Sequence, residues 1–166
     1  MGLFDKAKKF LGGKGMADVT ITVIERQPAE SATFPVTDSV LKGTMVIDVK
    51  QDCTLLATKY EVWLEAENGE QTVLDLVAHE QDPDPHTSYS DECLKMPCEL
   101  KAGQQITQPW MVMDVDLPRS LAKVDISPSG AVGNANVKLK VKCIADVKGS
   151  PFDPSAEVEV TLAHGT

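Results

Sequence analysis

Between Thr58 and Ala66 the chain alternates without a break. Thr58, Tyr60, Val62, Leu64 and Ala66 fall on one side of "TKYEVWLEAE", and Lys59, Glu61, Trp63 and Glu65 on the other. A repeat of two suits a β-strand with one face on a core and one toward water, and a slip of one residue would reverse every side chain. The stretch runs into "ENGE", whose Asn-Gly pair signals a two-residue hairpin, and then into "QTVLDLVA". The same alternation precedes it. Val19, Ile21 and Val23 oppose Thr20 and Thr22, and in "GTMVIDVK" Met45, Ile47 and Val49 oppose Thr44, Asp48 and Lys50. Downstream come "WMVMDVDL", "NVKLKVKCIADV" and "AEVEVTLA". Seven or eight short strands separated by Gly, Pro, Asn and Asp turns predict an all-β chain, an antiparallel β-sandwich of immunoglobulin-like architecture. No alternating βαβ pattern occurs, so nucleotide-binding α/β folds are excluded. At 166 residues the chain suits one such domain, over 16–166, preceded by a distinct segment at 1–15.

The last two segments predict an antiparallel hairpin of residues 137–147 and 156–163 around "KGSPFDPS". That register sets Lys140 opposite Glu159 and Lys142 opposite Glu157, so the comb of Lys138, Lys140 and Lys142 reads as a neutralised solvent face rather than a phosphate site. Of the four cysteines, Cys143 falls on the core side of its strand. Cys53, Cys93, Cys98 and Cys143 form no CxxC pair, and Cys93 and Cys98, placed in a loop, are expected to be unpaired thiols of a reducing compartment.

Residues 79–97, "HEQDPDPHTSYSDECLKMP", lack a strand period and predict a long surface loop. Its His79, Glu80, Asp82, Asp84, His86, Asp91 and Glu92 are the one cluster of ligand-type residues in the sequence. Prolines alternate with the acids, and the spacing matches neither an EF-hand nor a zinc pattern. A solvated loop is therefore expected, with a divalent-metal or small-ligand site at 79–92 as the rival function. There is no nucleophile elbow, HExxH or phosphate loop, and three histidines are a poor supply of bases. No enzyme is expected, and no catalytic residue, cofactor or metal ligand is nominated. A net charge of −9 argues against nucleic-acid binding.

The charge is unevenly placed. Residues 1–15, "MGLFDKAKKFLGGKG", hold four lysines against Asp5, a net +3, which leaves −12 for the rest of a chain of charge −9. At about 100° per residue, Leu3, Phe4, Ala7, Phe10 and Leu11 share an arc of about 120°. Lys6 and Lys8 flank the stripe and Lys9 lies on the polar side, while Gly12 and Gly13 end the predicted helix and hinge it. This short amphipathic helix is expected to touch a protein partner or an anionic membrane surface through Leu3, Phe4, Lys6, Lys8, Lys9, Phe10 and Leu11. One copy of so short a helix binds weakly, and a homo-oligomer would multiply the contact. The start has no continuous apolar region of a secretory signal, and no run approaches the roughly 20 apolar residues of a membrane span. A cytoplasmic chain is expected, peripheral to the inner face of the membrane if the helix meets lipid. Trp63, between Glu61 and Glu65 on the outer face of its strand, is a second candidate partner surface.

Three longer stretches carry a resemblance. "SVLKGTMVIDVKQDCTLLATKYEVWLEAE", "PCELKAGQQITQPWMVMDVDLP" and "VKLKVKCIADVKGSPFDPSAEVEVTL" resemble, in order, the early strands, the Gly-to-Pro-Phe segment and the last hairpin of arrestin-like domains. Nearest are the bacterial arrestin-like sporulation-control proteins, which also begin with a short segment containing Phe and Lys. The resemblance covers most of residues 17–163. It departs in having room for one sandwich instead of two, in Trp110 where phenylalanine is usual, and in lacking the charged polar core of visual arrestins, so phosphate sensing is not carried over. It implies a non-catalytic adaptor or scaffold that binds another protein.

Overall fold

The computed structural model describes residues 17–23, 33–83 and 94–165, the first of these by backbone alone. The amphipathic segment predicted at 1–15 lies outside the described residues, as do Asp84, His86, Asp91, Glu92 and Cys93. Among the described residues nine strands form two sheets. In order they are β1 (Ala17–Val23), β2 (Thr33–Pro35), β3 (Leu41–Val49), β4 (Cys53–Asn68), β5 (Gln71–Asp82), β6 (Cys98–Leu100), β7 (Gln105–Val112), β8 (Val137–Val147) and β9 (Ser155–Ala163). The smaller sheet runs β1-β3-β7 and the larger β2-β9-β8-β4-β5, with β6 continuing beside β4. Every pairing is antiparallel except β2 with β9. The fold is the all-β sandwich expected.

The alternation read in the sequence is the alternation of burial. Tyr60, Val62 and Leu64 of β4, Met45 and Ile47 of β3, and Leu139, Val141 and Cys143 of β8 are all fully buried. Each large apolar side chain so buried contributes about 1.5–3 kcal/mol, which outweighs any surface pair in the structure. Tyr60 of β4 stacks on Trp110 of β7, ring centroids 5.6 Å apart and planes 20° apart, joining the two sheets. The β8–β9 hairpin has the expected register, Lys140 opposite Glu159 and Lys142 opposite Glu157.

The hairpin signalled by Asn-Gly is present between β4 and β5, and two other expectations are corrected. The hairpin turn pairs Asn68 with Gln71, so its central residues are Gly69 and Glu70, with Gly69 at φ 63°. Only the first central residue has positive φ, the type II′ pattern, which needs Gly there. The segment "WMVMDVDL" is strand only to Val112, because Asp114 takes φ 60° and Asp116 then caps helix α1 (Leu117–Leu121) by accepting the Arg119 N–H at 3.1 Å. A 3-10 turn (Ala122–Val124) and helix α2 (Pro128–Ala131), capped by Ser127, follow before β8. Finally, the loop predicted from His79 begins four residues later, after Asp82. Its first residues belong to β5, and Cys98 opens β6 opposite Leu55 instead of lying in a loop. Cys98 forms no disulfide.

The α1 crossing also settles the edge of the larger sheet. Asp75 sits on the core-facing side of β5, opposite buried Leu64, and its carboxylate accepts from Lys123 Nζ of the 3-10 turn and from Ser120 of α1. Gln71 donates to Asp125 at 3.3 Å and Asn68 Nδ2 to the Val124 carbonyl at 2.9 Å. An inward charge on an edge strand, met by a crossing segment, discourages a further strand from adding there.

Two outcomes follow from these environments. The hydrogen bonds from Lys123 and Ser120 hold the Asp75 carboxyl below the usual carboxylate range. Its contribution is therefore complete above the unfolded value of about 3.9 and is lost as pH falls through the lower folded value. Asp75→Asn should lower stability at neutral pH by about 0.2–1 kcal/mol, the range of a solvated pair. Urea melts of both proteins should converge as pH drops below 4 (about the unfolded value). Burial pushes the Cys143 thiol far above its ordinary range, and burial likewise raises Cys53 and Cys98. A maleimide pulse read by mass spectrometry should label half-buried Cys98 in the native protein and Cys143 only after denaturation.

Candidate functional site: the outer face of β4 and β5

Consecutive residues of a strand point to opposite faces, and this decides what becomes of the candidate residues. On β5, His79 is exposed and faces Glu61 on the outer face, whereas Glu80 faces Tyr60 on the core side and Asp82 is buried opposite Thr58. The part of the acidic cluster that the structure describes is thus divided between two faces. Among the described residues no three His, Cys, Asp or Glu side chains are grouped as a metal would require. Where the chain returns from residues 84–93, the Leu94 N–H donates to the buried Gln108 Oε1 at 2.8 Å. Gln108 Nε2 and Trp110 Nε1 are buried there without an acceptor among the described residues.

Trp63 lies where the sequence predicted, on the outer face of β4, and is half-buried. Its Nε1–H donates to Glu61 Oε2 at 3.0 Å, which holds the indole along its own strand. What the sequence did not reveal is its company. A bulge between Val62 and Trp63 shifts the register so that Trp63 stands opposite Leu76, with Leu74 opposite Glu65 one pair further on. Leu74 is 64% exposed and Leu76 43%. Trp63, Leu76 and Leu74 therefore form one apolar row on a face whose other side chains are mostly charged or polar. The signal was present in "VLDLV", where both faces carry apolar residues, so that one pair had to be left in solvent. Beside Leu74 the surface dips into an open depression of about 470 Å³, bounded by Glu65, Glu67, Val73, Asn136 and Lys138.

Ion pairs frame the row on one side. Lys140, across β4 from Trp63, donates to Glu65 Oε1 at 2.7 Å and lies 3.9 Å from Glu157. Its nearer partner is on β4 and its second lies diagonally across β9, so direct opposition to Glu159 does not produce the closest contact. The Glu65 hydrogen bond holds the ammonium above its ordinary range. Glu61 and Glu67 make no ion pair among the described residues, and both flank the apolar row. The other exposed large apolar side chains, Leu56, Met113 and Phe152, are not paired with one another across any strand. No helix among the described residues is long and apolar enough to cross a membrane.

No family model and no curated protein matches this chain. Among solved structures, the chain is similar to Spo0M, the sporulation control protein from Bacillus subtilis. The TM-score is 0.57 at 14% identity, over 90% of this chain and 51% of that one. The E. coli curli protein CsgC covers 85% of this chain and 96% of its own at 8% identity, but a TM-score of 0.33 carries no structural argument. The chain spans about half the length of the Spo0M structure, and at such identity the likeness bears on fold alone. It is a distant structural relationship to an arrestin-like sandwich.

Proposed function

We propose that this chain is a non-enzymatic interaction module, an arrestin-like adaptor that binds a protein partner. The observation that carries the reading is the row Trp63–Leu76–Leu74, apolar side chains held toward solvent on a charged sheet face. Exposed aromatic and aliphatic side chains grouped beside a concavity are the usual anchors of protein association. The described cysteines agree with a non-catalytic role, since burial raises all three thiols, the direction opposite to an activated nucleophile. The distant likeness to Spo0M, a sporulation control protein, is consistent with a regulatory part.

The opening segment supplies the second contact. Leu3, Phe4, Phe10 and Leu11, flanked by Lys6, Lys8 and Lys9, form a basic apolar stripe on an acidic chain. It meets a surface outside its own sandwich, either an acidic protein face or the anionic inner face of a membrane in the cytoplasm. An acidic body is repelled by such a membrane only within about 8–10 Å at physiological salt, so protein and lipid remain rival surfaces.

Two single-purpose variants test this. Leu74→Glu charges the outer face at an exposed position, and Phe4→Glu/Phe10→Glu disables the stripe. In capture from native lysate, each should lose proteins that wild type retains. Co-sedimentation with phosphatidylserine vesicles at low and high salt reports the lipid contact. Retained proteins identical for all three chains, with vesicle binding also unchanged, would sink the adaptor reading.

A further inference from the structure

The outer face of β4 and β5 has a chemistry that specifies its occupant. The row Trp63–Leu76–Leu74 offers apolar contact, and the depression beside Leu74 offers a seat for one large side chain. Glu67 borders that depression without an ion-pair partner among the described residues, while Glu61 accepts the Trp63 N–H at the other end of the row. Glu65 is already engaged by Lys140. Lys138 also borders the depression and Lys142 stands opposite Glu61, so the complement of this surface is first of all apolar, a short stripe with a cation to meet Glu67. Within this chain, one segment has that composition: residues 3–11, with Leu3, Phe4, Phe10 and Leu11 beside Lys6, Lys8 and Lys9, in an arm of net charge +3.

The topology decides which copy supplies it. Ala17, the first residue of β1, pairs with Val49 at the end of β3, and only Lys50–Asp52 separate Val49 from Cys53 at the start of β4. The arm thus leaves the sandwich at the Cys53 end. Trp63 is ten residues further along β4, about 33 Å at about 3.3 Å per residue. It also faces outward from the opposite sheet, and β1 packs across from β9 while β7 packs across from β5. Residues 12–16, between the stripe and β1, span at most about 18 Å when fully extended. Nine residues of predicted helix beyond them add about 14 Å, so the far end of the stripe reaches about 32 Å, and most of the stripe falls short of that chain's own Trp63. None of it reaches Leu74, opposite Glu65 at about 40 Å along β4. A second copy is under no such limit.

We propose that the outer face of β4 and β5 is the docking seat for residues 3–11 of a second copy of this chain, so that two copies associate by exchanging arms. The inference rests on the adaptor reading and names its partner. Exchange uses the same two patches on both chains, the isologous arrangement of a two-fold dimer. A single docked arm buries little surface and holds weakly. The second docking within the same pair is intramolecular, so the exchanged pair is held more tightly than either contact alone. Attraction between the lysines and Glu67 makes the association weaken as salt rises.

The test uses full-length chains. In sedimentation velocity over a concentration series, wild type should pass from monomer to dimer. Leu74→Glu and Phe4→Glu/Phe10→Glu, each with unchanged circular dichroism, should associate at least tenfold more weakly. A complementation then separates arm from seat. Isotope-labelled Phe4→Glu/Phe10→Glu protein keeps an intact seat, and unlabelled Leu74→Glu protein keeps an intact arm. Adding the second to the first should shift the Trp63 indole N–H resonance, which nuclear magnetic resonance detects even for dissociation constants on the order of 1 mM. No shift at such concentrations overturns the proposal. So does a wild type that stays monomeric throughout, or a Leu74→Glu protein that dimerises as wild type does. A Trp63 resonance that differs between wild type and the arm variant independently of concentration would mean docking within one chain, and also overturns it. If wild type is monomeric yet pelleted by phosphatidylserine vesicles through the same arm residues, arm exchange fails while the adaptor reading stands.

Discussion

The larger sheet is registered on one strand. β4 runs for sixteen residues and is hydrogen-bonded on both edges, to β8 along one side and to β5 and β6 along the other. Because each pairing brings directly opposed residues to the same face, the inward set of β4 dictates the inward sets of its neighbours. Tyr60 then fixes the second sheet against the first by stacking on Trp110 of β7. A substitution that shifted β4 by one residue would turn Tyr60, Val62 and Leu64 out to solvent together, at about 1.5–3 kcal/mol for each. Loss of that order exceeds what any of the exposed ion pairs restores.

That dependence also explains the apolar row. β5 carries apolar residues on both of its faces, Val73 and Val77 on one and Leu74 and Leu76 on the other, with Asp75 among the valines. Judged by hydrophobicity alone, the leucines belong inside. The tight turn pairs Asn68 with Gln71, and this places Val73 opposite Ala66 and Asp75 opposite Leu64 on the core side. The aspartate tolerates the inward position because the α1 crossing brings Lys123 and Ser120 to it at the sheet edge. The leucines are left outside, beside Trp63. One local turn and one distant helix thus expose the surface on which the functional reading rests.

The same geometry bears on how the acidic cluster is understood. Ligand-type residues close together in sequence suggested convergence, but β5 extends to Asp82 and alternation separates His79 from Glu80 and Asp82. Proximity along a strand disperses side chains between two faces, whereas proximity across strands gathers them. Lys140 illustrates the second case, since its closest carboxylates come from Glu65 and Glu157 on the two neighbouring strands.

By itself the sequence determined the fold class, the inward faces of β3, β4 and β8, and the register of the last hairpin. In each of those strands one face is almost wholly polar, so burial has a single solution. The outward placement of Trp63 was legible for the same reason. Only the tertiary structure decided the facing of β5, the break after Val112, the start of the loop beyond Asp82 and the company Trp63 keeps. Those outcomes depend on a positive-φ aspartate, a bulge, and a cation supplied from 48 positions away in the chain. Local pattern carries no record of such partners, because the free energy that selects among nearly equivalent faces comes from contacts between residues distant in sequence.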